Sequence, residues 1–193
     1  MQANFLKYLD RRLPRYTSYP TAVQFGPSVD AAAHERWLAA LSADASVSLY
    51  LHVPFCAELC LYCGCHTAVA RRYAPVAACA DLLEREVGLI GARLAAQSVT
   101  HVHFGGGTPT MLQPNELKRI MAALHARFRI IHATEIAIEI YPRSPTRQHI
   151  AALADMGVSR ASLGVQDFRP ARAGSDRAPA KRRTDRARRR PTA

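Results

Sequence analysis

Apolar residues along the chain follow two different periods, and the switching between them outlines a fold. Val47-Ser48-Leu49-Tyr50-Leu51-His52-Val53 is short, largely apolar and stopped by Pro54, which predicts a strand. From about Tyr73 to Ala96 the period changes: Val76, Leu83, Val87, Ile90 and Leu94 recur at helical spacing and predict a long amphipathic helix. Val99 to Phe104 predicts a second strand, closed by Gly105-Gly106-Gly107-Thr108-Pro109. Pro114 suits the first turn of a helix whose apolar stripe is Leu117, Ile120, Met121, Leu124 and Phe128. Thr134 to Tyr141 reads as a third strand ended by Pro142, and Thr146 to Met156 as a shorter helix stopped by Gly157. Arg160 to Val165 reads as a fourth strand. Strand and helix alternate throughout, which predicts an α/β fold of βα units around a parallel sheet or barrel.

The flanks read differently. Pro14, Pro20 and Pro27 punctuate an extended arm, and Asp30 can cap a helix to about Ala43 with Ala33, Trp37, Leu38 and Leu41 on one face. Beyond Phe168 there is no aromatic residue and no Leu, Ile or Val, so that stretch cannot bury a core and is expected to be disordered. The predicted organisation is an arm and helix over 1–45, a βα region over 46–168 and an Arg-rich tail over 169–193.

Charge changes the picture only locally. The 193 residues carry a net charge of +11, which by itself points to nucleic acid. Residues 169–193, however, hold nine Arg and one Lys against Asp176 and Asp185, a net +8, leaving +3 for everything before them. The basicity belongs to the tail, and no nucleic-acid partner is expected. With 49% apolar residues a sizeable core is available. No apolar run approaches the roughly 18–20 residues of a membrane span, and Met1 to Asp10 shows no apolar secretory segment. A cytoplasmic protein without membrane contact is the expectation.

Candidate chemistry centres on Cys56-x3-Cys60-x2-Cys63, followed by Cys65. Four thiols on a short loop after a strand suit a metal centre in a reducing compartment better than disulfides. Zinc could be closed by four cysteines, or by three with His52 or His66. The absence of two knuckles separated by a longer spacer favours an iron–sulfur cluster, and both readings stay open on spacing alone. Cys79, among alanines in a helix, reads as a small inert thiol. In Ile136-Ala137-Ile138-Glu139-Ile140 the isoleucines share one face while Ala137 and Glu139 point inward. A carboxylate there is costly unless it serves a ligand or forms a structural ion pair with Arg160 or a nearby base. His101 and His103 alternate with Val102 and Phe104 and read as barrel-lining residues rather than ligands.

The cysteine spacing with Tyr62 just before Cys63 resembles the signature of radical S-adenosylmethionine (SAM) enzymes. More narrowly, Pro14-Arg15-Tyr16-Thr17-Ser18-Tyr19-Pro20-Thr21, Tyr50-Leu51-His52-Val53-Pro54-Phe55-Cys56, Gly105-Gly106-Gly107-Thr108-Pro109-Thr110 and Gly164-Val165-Gln166-Asp167-Phe168 together resemble the oxygen-independent coproporphyrinogen III oxidases, over about residues 4–168. The resemblance implies a partial (βα) barrel of the radical SAM type, with about four of its strands present. It implies a [4Fe-4S] cluster held by Cys56, Cys60 and Cys63 but not Cys65, with an open iron that binds the amino and carboxylate groups of SAM. It further implies a 5′-deoxyadenosyl radical that takes hydrogen from a propionate of coproporphyrinogen III, which then loses CO2 and an electron to become vinyl. Tyr50, Tyr62, Gly106 and Glu139 correspond to contacts with this SAM, and Gly107, Thr108 and Gln166 to contacts with a second SAM molecule. An electron donor of unspecified identity and a monomeric state are also implied. Tyr141 departs from the acidic residue expected at that position. Because the pattern stops at Phe168, the chain is expected to be a truncated, inactive copy whose tail is read out of frame. A structural zinc module and a different radical SAM enzyme are the alternatives.

Overall fold

The computed structural model describes residues 21–60, 63–96 and 98–165. Tyr62, Gln166, the Pro14–Pro20 motif and the Arg-rich tail lie outside the described residues. The chain divides into two units, Met1–Trp37 and Leu38–Ala193.

In the first unit a 3-10 turn, Ala22–Gln24, precedes helix α1, Ala31–Ala39, which runs two residues past the boundary. Asp30 caps α1 as expected, its Oδ1 accepting the Ala33 N–H at 2.8 Å. The predicted face is only partly realised: Ala33 is buried, but Trp37 is exposed. The helix also ends short of Ala43. Ser42 and Asp44 hydrogen-bond to each other and Ser42 O accepts from Ala45 N–H, so local polar bonds there compete with another helical turn.

The second unit carries a four-stranded parallel sheet in the order β1-β4-β5-β6: β1 is Ser46–Val53, β4 Ser98–Gly106, β5 Glu135–Ile140 and β6 Arg160–Leu163. The crossovers are helices α2, Ala74–Gly91, α3, Pro114–Arg127, and α4, Arg147–Asp155. Each forms for a reason legible in the chain. Pro75 sits in the first turn of α2 and Pro114 opens α3. Glu116 folds back onto the Gln113 N–H at 2.7 Å, and Thr146 caps α4 through the His149 N–H. Beyond α4, Gly157 takes the left-handed conformation, φ 74°. The α3 stripe of Leu117, Ile120, Met121 and Leu124, continued by Phe128, is buried against Val102, Phe104, Ile136 and Ile138. Val76, Val87 and Leu94 join the same core, with Leu83 and Ile90 partly buried against it.

Two further boundaries differ from the pattern-based expectation. The long helix stops at Gly91 rather than near Ala96, where Gly88 and Gly91 weaken its last turns. Strand β6 ends at Leu163, and all four of its residues are exposed. The cysteine segment is also more ordered than a plain loop. Phe55–Cys56 (β2) and Ala68–Val69 (β3) form a two-stranded parallel ladder, with Ala68 N–H bonded to Pro54 O at 2.7 Å and Ala70 N–H to Cys56 O at 3.0 Å. Pro54 ends β1 but leaves its carbonyl free to accept, so the chain resumes extended structure one residue later. Among the described residues no helix is long and apolar enough to cross a membrane.

Candidate cluster and cofactor site

A parallel sheet presents its ligands at the carboxyl ends of its strands, and the predicted chemistry gathers there. A cavity of about 500 Å³ opens beyond β1, β4, β5 and β6 and is lined by Cys56, Cys60, Cys63, Cys65, Gly106, Gly107, Thr108 and Glu139. Tyr50 does not line it. That side chain lies one strand away, its ring stacked on His103 with 5.6 Å between centroids.

The glycine run exists to lay backbone against the cysteine strand. Gly107 N–H donates to Val53 O and Thr108 N–H to Phe55 O, both at 2.8 Å. A Cβ on Gly107 would stand 2.7 Å from Phe55 O and 2.9 Å from Cys56 Sγ, closer than real side chains come. Gly106 has φ 113°, a conformation that L side chains rarely adopt, and a Cβ there would meet Val53 O at 2.8 Å. The Thr108 hydroxyl points at Cys56 Sγ from 3.5 Å.

Glu139 closes the other side. Its Oε2 accepts the Gly106 N–H at 3.3 Å and its Oε1 lies 3.4 Å from His103 Nε2. The ion pair with Arg160 considered from the sequence does not form, because Arg160 Nε pairs instead with Glu135 at 3.3 Å. Register explains the difference: Ala137 stands opposite Arg160 on β6, whereas Glu139 stands opposite Ser162. His103, read as a lining residue, is the partner of that carboxylate.

Histidine 52 is committed elsewhere. Its Nε2 donates to the His66 carbonyl at 2.9 Å, which leaves Nδ1 as the acceptor for the Tyr50 hydroxyl at 3.2 Å. It therefore staples β1 to the cysteine segment and offers no free nitrogen to zinc. Burial, then the Glu139 carboxylate and Cys65, raise the Tyr50 phenol above its ordinary range, so it stays a neutral donor.

The donor set fits an iron–sulfur cluster. All the cysteines are free thiols. Burial raises the Cys56 thiol, the Thr108 hydroxyl opposes that shift, and Cys63 and Cys60 add to it, as expected of thiols sharing one space. Among the described residues no three His, Cys, Asp or Glu side chains are gathered to hold a metal ion. A cluster does not need them to be, because its cysteines bind separate irons. Sequence reasoning passed over Thr67, whose Oγ1 lies 4.0 Å from Cys63 Sγ, and Arg143, which lines the cavity mouth. Neither sits in a spacing pattern, and only the folded sheet brings them to the site.

Comparison with known proteins places the chain in a family. The chain is 49% identical to the oxygen-independent coproporphyrinogen III oxidase of Bradyrhizobium diazoefficiens and 42% identical to that of Cereibacter sphaeroides, in each case over 166 residues that make up 86% of this chain and 37% of the relative. Among solved structures it resembles coproporphyrinogen III oxidase (HemN) from Escherichia coli, described as a radical SAM enzyme, with a TM-score of 0.75 and 34% identity over 86% of this chain and 37% of that one. The chain thus spans little more than a third of the length of these relatives. The α/β fold with its parallel sheet is that of the radical SAM enzymes. Residues 50–192 match the Radical SAM superfamily, most of the chain and all of the described site, and the chain belongs to that superfamily.

Proposed function

We propose that this chain carries the cluster- and SAM-binding part of an oxygen-independent coproporphyrinogen III oxidase, in which propionate side chains are oxidatively decarboxylated to vinyl groups to give protoporphyrinogen IX. The observation that carries the reading is the single cavity shared by Cys56, Cys60, Cys63, the Gly106–Thr108 backbone and Glu139. Cys56, Cys60 and Cys63 would hold the [4Fe-4S] cluster. When bound, the cluster supplies the low-potential electron that cleaves the SAM sulfonium and leaves a carbon radical able to take hydrogen from the substrate.

The chain's own residues bind and orient. Gly106 and Gly107 let main chain approach a ligand without a side chain between them. Glu139, aimed along the Gly106 backbone, is set to accept a charge-assisted hydrogen bond from an ammonium group. The Thr108 hydroxyl beside Cys56 Sγ tunes that ligand's basicity from outside the sulfur. In this reading Tyr62 and Tyr50, which stands beside the cavity rather than on its wall, flank the first SAM, and Gly107, Thr108 and Gln166 contact a second. The enzyme to which this part corresponds is proposed to be a cytoplasmic monomer fed by a one-electron donor.

The test is anaerobic reconstitution followed by reduction with dithionite in the presence of SAM and coproporphyrinogen III, with separate assays for 5′-deoxyadenosine and for vinyl-bearing product. Formation of both supports the full reading and contradicts the expectation of an inactive copy. Formation of 5′-deoxyadenosine alone restricts it to the cofactor chemistry and removes the substrate assignment.

A further inference from the structure

The cavity wall carries few charged side chains. Beside its four cysteine thiols it carries two carboxylates, those of Glu58 and Glu139. Among the described residues that line it, Arg143 is the single Lys or Arg. A ligand that brings carboxylates into this space meets two like charges and one cationic partner, that guanidinium.

The side chain is carried on a built turn. Tyr141-Pro142-Arg143-Ser144 is closed by Ser144 N–H donating to Tyr141 O at 2.9 Å, with proline at its favoured second position. The Ser144 hydroxyl also donates to Tyr141 O at 2.9 Å and pairs with the buried Thr110 hydroxyl, which pins the turn to the glycine-rich wall. The turn follows β5 directly, so Arg143 stands four residues beyond Glu139 at the same mouth. Among the described residues it has no carboxylate partner: its Nη1 makes a long contact to Tyr141 Oη at 3.5 Å. Arg119 and Arg160 are by contrast each paired with an acid.

We infer that Arg143 is the carboxylate-binding residue of this cavity. The guanidinium suits this because its planar donors match a carboxylate bidentately and cannot be neutralised by deprotonation. Two carboxylates could reach it: a propionate of the porphyrinogen, or the methionine carboxylate of SAM. The inference rests on the proposed function for the first of these and on superfamily membership for the second.

The experiment uses the reconstituted 193-residue chain and two probes. Calorimetry measures SAM, and fluorescence titration measures coproporphyrin III, the oxidised tetracarboxylate that keeps the propionates. Wild type is compared with Arg143→Met, Arg143→Lys and, as a charge control away from the cavity wall, Arg147→Met. Loss of a charge-assisted hydrogen bond predicts that Arg143→Met weakens one probe by about ten- to a hundredfold, with Arg143→Lys intermediate and Arg147→Met unchanged. Weakened coproporphyrin III with unchanged SAM identifies the propionate, and the reverse identifies the cofactor's carboxylate. If the wild type binds both probes and Arg143→Met binds both equally well, the inference is overturned while the proposed function stands. If the wild type binds SAM in an Arg143-dependent way but not coproporphyrin III, the inference stands and the substrate assignment falls. A wild type that binds neither overturns both.

Discussion

The backbone N–H of Gly106 donates to Glu139 Oε2 at 3.3 Å, joining the end of β4 to the end of β5 across the cavity mouth. The contact sets the carboxylate where the glycine leaves room, so each residue accounts for the other. Only a residue without a Cβ takes φ 113° there without strain, and a carboxylate one strand over uses the donor that this backbone exposes.

Glu139→Gln keeps the shape and removes the charge. It is expected to weaken SAM binding by about ten- to a hundredfold, the value of one charge-assisted hydrogen bond, while iron content stays at the wild-type level. Calorimetry on reconstituted protein measures the first and metal analysis the second. Unchanged SAM affinity would assign Glu139 to structure alone.

The cysteines divide by position. Cys56, Cys60 and Cys63 are half-buried at the cavity wall and Cys65 is exposed. Single replacement of any of the first three by Ala is expected to abolish stable cluster assembly, whereas Cys65→Ser keeps most of the iron and sulfide. Equal loss in all four variants, read from iron and sulfide per chain, contradicts this division.

A methyl group on Gly107 has nowhere to go, since both Phe55 O and Cys56 Sγ stand within 2.9 Å of it. Gly107→Ala is expected to lower the unfolding free energy of the apoprotein by about 1–3 kcal/mol, the usual cost of overpacking. Gly88, in the last turn of α2 with open space around it, gives the opposite sign: Gly88→Ala should stabilise by about 0.5–1 kcal/mol. Denaturant titrations of the two variants decide it, and a Gly107→Ala chain as stable as wild type rejects the close-approach argument.

Tyr73 donates to the Glu116 carboxylate, and burial together with that bond pushes its phenol up from 10.0 to about 12. A raised acid holds its proton longer in the folded chain than in the unfolded one, so between about pH 10 and 12 the unfolded state releases a proton that the folded state keeps. Stability contributed by this group is intact below pH 10 and is lost as pH rises toward 12. Tyr73→Phe should remove this alkaline component of the pH–stability curve. A curve of unchanged shape in the variant assigns the alkaline loss to other groups.

The fold was legible where burial sets the residue pattern. The period of Leu117, Ile120, Met121, Leu124 and Phe128 is the footprint of a helix on a sheet, and Asp30, Thr146 and Gly157 act locally, within a few residues of where they stand. Cys56, Cys60, Cys63 and the glycine run announced a site because their chemistry and spacing are uncommon together. The β2–β3 ladder escaped because two-residue strands carry no period. His103 and Arg143 escaped because their meaning lies in strand register: His103 faces Glu139 only once β4 lies beside β5, and Arg143 reaches the cavity only through the turn after β5. Of the two partners considered for Glu139, Arg160 is ruled out for the same reason, since the register puts Glu135 within its reach, and the nearby base is His103.

The central claim is that Cys56, Cys60 and Cys63 make this cavity a cluster site open to SAM. Its most direct measurement is electron paramagnetic resonance of the anaerobically reconstituted, dithionite-reduced chain, recorded with and without SAM. The account predicts the signal of one reduced [4Fe-4S] cluster per chain whose line shape changes when SAM is added and does not change in the Cys65→Ser variant beyond what wild type shows. Stoichiometric zinc with no cluster signal, or a cluster signal indifferent to SAM, contradicts it.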